Sequence, residues 1–176
     1  MHDFTMFKNI ILTGFMGVGK TSVGMQLAKD LGYTFVDIDT LIEAEQNLTI
    51  TSIFSTFGEP YFREVETKII GQVMTREGQV VSTGGGAVIR DVNRAAFKKG
   101  GFVVCLTARP DVVYERIKHE THRPLLQTAD PKAKIKELLD SRAPFYAQAD
   151  VCIDTSDKSV DEVIRAIKER IRHAYC

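Results

Sequence analysis

Lys20, Thr21 and Ser22 close a glycine-rich stretch, Gly14-Phe15-Met16-Gly17-Val18-Gly19-Lys20-Thr21, that fits G-x-x-x-x-G-K-[ST] with no mismatch. Each part answers a need of phosphate binding. The glycines let the chain curl until successive backbone N–H groups point into one concave nest, and a following helix adds its positive end. Lys20 supplies a mobile charge for the β- and γ-phosphates, and the Thr21 hydroxyl is placed to ligate Mg²⁺. Gly17, Val18, Gly19, Lys20, Thr21 and Ser22 are thus the candidate nucleotide-binding residues, for ATP or GTP. A plain glycine turn is the alternative, but an apolar run before the stretch and a helical pattern after it favour the phosphate reading. No guanine-reading N-K-x-D occurs, and no apolar strand ends in Asp-Glu as in mechanical ATPases. A small kinase remains, with its acceptor groups downstream.

Four downstream features fall at or near the carboxyl ends of expected strands, where open α/β sheets bind ligands. Asp37 and Asp39 end the second strand. In an extended segment side chains two apart share a face, so one carboxylate can hold magnesium through water while the other accepts a hydroxyl proton. A helix N-cap at Asp39 is the equal alternative. Arg63 lies in a charge-rich helical segment and, alone, reads as a solvated side chain or an ion-pair partner of Glu59 or Glu66. Gly84-Gly85-Gly86 costs backbone entropy and permits a ligand to approach the main chain closely, or else makes an awkward turn. A polar insert at 119–131 carries Arg123 and is followed by Arg142 in RAPFY. Such an insert beside a phosphate site reads as a mobile lid that expels water, with Arg123 neutralising charge on the transferred phosphoryl, or as an ordinary surface loop.

These residues need a scaffold. Apolar strand-like runs at 8–13, 33–37, 79–83, 102–107 and 151–155 alternate with helical patterns at 20–31, 40–46, 50–57, 59–76, 91–99, 110–118 and 132–142. A last helix opens on the capping box Ser159-x-x-Glu162. Continuous β-branched strands alternating with helices imply a parallel sheet covered on both faces, an α/β fold in three layers. At 176 residues, with no linker or repeat, the chain is expected to be one domain, 1–176. Basic and acidic residues both number 23, so no global field points to nucleic acid or to a membrane. No stretch reads as a secretory signal or a transmembrane helix, and a cytoplasmic protein is expected. Cys105 and Cys152 lie inside apolar runs and read as small core residues, which fits a reducing compartment better than a disulfide framework or a zinc site.

GFMGVGKTSVG, D-I-D after strand two, F-R-x-x-E at 62–66, GGG at 84–86, RPLL at 123–126 and RAPFY at 142–146 together resemble the shikimate kinases, of the nucleoside-monophosphate-kinase-like P-loop fold. The resemblance spans nearly the whole chain. It implies a five-stranded parallel sheet in the order 2-3-1-4-5, and transfer of the ATP γ-phosphoryl to the 3-hydroxyl of shikimate within aromatic amino-acid biosynthesis. It assigns Asp39 to the substrate hydroxyls as base, and Asp37 to the magnesium shell through water. Arg63 and Arg142 take the substrate carboxylate, Gly84, Gly85 and Gly86 the ring, Arg123 the phosphates from the lid, and Arg116 the adenine side. Thr21 replaces the usual Ser and keeps the hydroxyl, and Met25 stands where a basic residue is common. A planar carboxylate independently suits guanidinium forks. A monomer is expected. Gluconate kinase, a nucleoside-monophosphate kinase and a non-catalytic nucleotide-binding module are the rival readings.

Overall fold

The runs of Ile, Val and Leu become the strands of one sheet. The computed structural model describes residues 7–119 and 128–174. Five strands, β1 (Asn9–Thr13), β2 (Thr34–Asp37), β3 (Gln79–Ser82), β4 (Phe102–Thr107) and β5 (Val151–Asp154), pair in parallel in the order β2-β3-β1-β4-β5. Every residue of β1 and β3 is buried, which explains why these runs are apolar without alternation. Leu12 is in register with Ser82 on one side and Val104 on the other, so the strand ends stand level.

Helices α1 (Lys20–Leu31), α2 (Ile38–Gln46), α3 (Ile50–Val73), α4 (Asp91–Gly100), α5 (Pro110–Ile117), α6 (Pro131–Tyr146) and α7 (Val160–His173) connect and flank the strands. The chain moves from β1 to β2 in one direction and from β2 through β3 and β4 to β5 in the other. Right-handed crossovers then place α1 on one face of the sheet and α3 and α4 on the other. Accordingly α1 packs against α7, and α3 against α4. The reversal opens a crevice beyond the carboxyl ends of β1 and β3, where the phosphate stretch and the triple glycine emerge. No helix among the described residues is long and apolar enough to cross a membrane.

Several boundaries differ from expectation for local reasons. Helix α2 begins at Ile38, because Asp37 rather than Asp39 is the cap: Asp37 Oδ1 accepts from the Asp39 and Thr40 amides at 3.0 and 3.2 Å. Asp39 therefore sits in the first helical turn, not in an extended segment. The two helices expected at 50–57 and 59–76 form one run, α3, broken by non-helical Gly58 (φ 80, ψ 171). Helix α6 continues past 142 to Tyr146. Pro144 there forfeits one backbone hydrogen bond, but burial of Ile135, Arg142 and Tyr146 holds the last turns in place. Cys105 is buried as expected, whereas Cys152, on the edge strand β5, is exposed rather than part of the core.

Candidate active site

The phosphate stretch links β1 to α1 as a tight loop. Gly14 has φ 134, and a Cβ there would fall 2.1 Å from the Leu106 carbonyl oxygen, so only glycine lets the loop lie against the end of β4. Gly19, at φ 98, leads into α1, whose first-turn amides have no side-chain cap. An uncapped helix N-terminus behind a glycine loop suits an anion. Lys20 Nζ donates to the Gly14 and Phe15 carbonyls at 2.8 and 2.7 Å, and Thr21 and Ser22 are exposed on the first turn. From α5, Arg116 donates to the Gly17 carbonyl at 3.1 Å and to Thr155 Oγ1 and its carbonyl at 3.1 and 2.9 Å. Thr155 Oγ1 in turn donates to the Val18 carbonyl at 3.0 Å. Arg116 and Thr155 thus brace the loop from behind.

Beside the loop lies a cavity of about 350 Å³, lined by Met16, Asp39, Arg63, Glu66, the triple glycine and Arg142 with the apolar faces of Phe54 and Phe62. Each glycine faces a charged group at close range. A Cβ at Gly84 would fall 2.9 Å from Glu66 Oε1 and 3.0 Å from Asp39 Oδ1. At Gly85 it would fall 3.5 Å from Arg142 Nη1, and at Gly86 2.3 Å from Arg63 Nη2. The phosphate loop shares this wall, since the same point at Gly85 is 3.5 Å from the Met16 amide nitrogen and 3.6 Å from the Gly14 carbonyl oxygen. Lys20, bonded to that Gly14 carbonyl, is therefore one residue removed from the cavity.

Two guanidiniums and two carboxylates set the field inside. Arg63 Nη1 donates to Glu66 Oε2 at 2.8 Å, while its Nε and Nη2 donate to Glu59 at 3.2 and 3.0 Å. Glu66 is wholly buried, and its Oε1, on the cavity side, has no hydrogen-bond partner among the described residues. Burial pushes the Glu66 carboxyl above its ordinary value and Asp39 adds to the push, although Arg63 opposes both. The Arg63 guanidinium is raised despite its own desolvation, because Glu66 and Glu59 both stabilise its charge. Both move up for different reasons: Glu66 has lost all contact with solvent, whereas Arg63 keeps an exposed edge and two acidic partners.

Arg142 is only 6% exposed, and its guanidinium carbon lies 5.6 Å from the centre of the Phe15 ring. One helical turn later, Tyr146 donates its hydroxyl to the Gly85 carbonyl at 2.6 Å. Burial pushes that phenol up to about 12, so it remains a donor at neutral pH. Arg94 completes the frame, donating to the Val88 and Ile89 carbonyls and lying 4.8 Å from the Phe145 ring centre. The glycine turn is thereby tied to α6.

Asp39, Arg63, Gly84, Gly85, Gly86 and Arg142 thus surround one cavity, and Gly17, Val18, Gly19, Lys20, Thr21 and Ser22 form the adjoining loop. Asp37 stands at the carboxyl end of β2 as a helix cap. Arg116 is committed to the back of the loop. Arg123 and most of the insert fall within 120–127, outside the described residues. From the sequence, Glu66 and Tyr146 stood only as the last residues of F-R-x-x-E and RAPFY, Glu66 also as an ion-pair partner for Arg63, and neither was given a role in the site. The i,i+3 spacing of Arg63 and Glu66 was the available signal, but spacing does not reveal burial.

A model of the shikimate kinase family matches residues 16–172. The chain belongs to the shikimate kinase family. A family member from Thermodesulfovibrio yellowstonii is 49% identical over 160 residues, which cover 91% of this chain and 92% of that protein. One from Geobacter metallireducens is 46% identical over 91% of this chain and 89% of its own. Among solved structures, the shikimate kinase from Acinetobacter baumannii in complex with shikimate superposes with a TM-score of 0.93 at 36% identity, covering 98% of this chain and 97% of that one. A gluconokinase from Sinorhizobium meliloti, at 19% identity and a TM-score of 0.61, shares the fold alone.

Proposed function

We propose that the chain transfers the γ-phosphoryl group of ATP to the 3-hydroxyl of shikimate, giving shikimate 3-phosphate and ADP on the route to chorismate and the aromatic amino acids. It does so as a monomeric single-domain enzyme of the cytoplasm. One observation carries the reading: a phosphate loop and a cavity walled by an aspartate and two arginines share the Met16–Gly85 boundary. Family membership supports the choice of acceptor.

Shikimate is a ring acid with neighbouring hydroxyls. Arg63 and Arg142 enter the cavity from different helices and receive its carboxylate, fixing the ring as well as its charge. Asp39 accepts the proton of the attacking hydroxyl. The glycine turn lets the ring approach the backbone where a side chain would intrude. Lys20, now held by two loop carbonyls, exchanges them for phosphate oxygens, and Arg123 approaches the same oxygens from the insert.

Hard oxygen donors fit Mg²⁺: the Thr21 hydroxyl would hold it, with Asp37 acting through water by the carboxylate oxygen that the helix cap leaves over. When bound, the ion neutralises charge on the β- and γ-phosphates. The protein's own contribution is placement and exclusion of water.

A coupled ADP-release assay with shikimate, gluconate and the nucleoside monophosphates as acceptors tests the reading. Turnover is expected with shikimate alone. Turnover with gluconate and none with shikimate would reject it, and nucleotide binding without turnover on any acceptor would leave a non-catalytic module.

A further inference from the structure

Cys105 and Cys152 are in-register partners on the adjacent parallel strands β4 and β5. Neighbouring strands lie about 4.8 Å apart, and paired residues point to the same face. That separation is inside the range of roughly 4.4–6.8 Å that a disulfide requires between Cα atoms. The two sulfurs are close enough for Cys152 to bear on Cys105: burial pushes the Cys105 thiol up to about 12, and Cys152 adds to the shift. Cys152 is open to solvent on the edge strand, whereas Cys105 lies inside beside it. Cys152 also touches the acceptor side of the site, its Sγ lying 3.8 Å from the Tyr146 carbonyl oxygen.

We propose that Cys105 and Cys152 form a modification site, closing reversibly to a disulfide by exchange with a low-molecular-weight disulfide, and that closure loosens the Tyr146 hydroxyl from the Gly85 carbonyl. The exposed thiol reacts first. The Cys152 thiolate attacks one sulfur of the oxidant, forming a mixed disulfide and expelling one small thiolate. Cys105 then attacks Cys152 Sγ, expels the second small thiolate and closes the protein disulfide. Two protein thiols and one small disulfide become one protein disulfide and two small thiols, the cysteine protons passing to the leaving thiolates. The buried thiol ionises with difficulty, so closure is the slow step. Where the surroundings are reducing, such a bond is transient, as regulatory disulfides are. Joining the sulfurs pulls Cys152 from the Tyr146 carbonyl at the end of α6, one turn beyond Arg142. The first half of the proposal stands on strand register alone, and the second rests on the acceptor-site reading above.

The test uses the full chain carrying Cys176→Ser, treated with oxidised glutathione under native conditions and read by intact mass and free-thiol count. Both thiols are expected to disappear with loss of two hydrogen masses, no glutathione retained, and full reversal by dithiothreitol. Cys105→Ser is expected to trap one glutathione on Cys152, and Cys152→Ser to stay unmodified. A chain that keeps glutathione with its second thiol free, or that does not react, overturns the pair. This readout on the Cys176→Ser chain does not depend on either strand-cysteine variant folding.

In steady-state kinetics the closed form is expected to show a several-fold higher KM for shikimate with KM for ATP unchanged, and Cys152→Ser treated alike to keep its KM for shikimate. Equal KM values for the closed and reduced forms overturn the coupling to Gly85. Failure of the shikimate reading would look different, since the reduced enzyme would then not turn shikimate over.

Discussion

Replacing Gly86 by alanine puts the acceptor pocket to a sharp test. At Gly86 the backbone (φ −98, ψ −2) suits any residue, so the substitution carries no conformational strain and acts through its methyl group alone. That methyl would arrive 2.3 Å from Arg63 Nη2, 2.8 Å from Cζ and 2.9 Å from Nη1, where ordinary contact begins at 3.4 Å. Glycine turn and helix α3 are both anchored, the former by Arg94 and the latter through Arg90, which donates to the Arg63 carbonyl and Thr67. The guanidinium itself must therefore move, by about 1 Å, which takes a charge-assisted hydrogen bond out of range. Losing one such bond to a carboxylate costs about 1.5–3 kcal/mol, or roughly tenfold to 150-fold in affinity. Initial-rate kinetics with both substrates varied should show KM for shikimate rising by about that factor while KM for ATP stays within about twofold, because the phosphate loop is untouched. A folded Gly86→Ala enzyme with the KM for shikimate of the parent would refute the placement of Arg63 against the acceptor.

Other perturbations separate the remaining claims. Gly71, in α3, has open space where a Cβ would stand, so Gly71→Ala should add about 1 kcal/mol and raise Tm by about 2–4 °C without altering kinetics; a lowered Tm would contradict the helical reading there. Glu66 has a folded pKa above its unfolded value, so its contribution to stability is fully present below about pH 4.5 and is lost as pH rises through the folded pKa. The stability of the parent relative to Glu66→Gln should therefore decline as pH rises above that value, measured by denaturant titration across pH; a difference that grows instead would mean that Arg63 outweighs burial. Asp39→Asn should lower kcat by about 10²–10⁴ with little change in ATP binding, whereas a kcat near that of the parent would leave Asp39 only a place in the first turn of α2.

The strands and the phosphate loop were legible because their signals are local: buried parallel strands need unbroken apolar runs, and a phosphate nest needs glycines at fixed spacing, whereas the strand order came only with the family resemblance. The residues that line the cavity were legible together as a family pattern but not as physics. Asp37 and Asp39 were read as a pair sharing one face of a strand, yet the helix starts between them, so one caps α2 and the other enters the cavity wall. Glu66 showed the same blind spot from the other side. Its charge suggests solvent, and only tertiary packing of α3 beneath the triple glycine buries it beside Arg63. Tyr146 lay beyond the expected end of α6, because burial of that helix face outweighs the local warning from Pro144. Cys152 failed for a similar reason, since an apolar run does not distinguish a central strand from an edge.

The position of the transferred phosphoryl group tests the central claim most directly. Phosphorus NMR of a reaction mixture of enzyme, ATP, magnesium and shikimate should show one phosphomonoester per ADP, coupled to the proton on the ring carbon that bears the 3-hydroxyl. ADP accumulating with inorganic phosphate alone, or phosphate on a different hydroxyl, would contradict an acceptor held by Arg63 and Arg142 with Asp39 at its reacting oxygen.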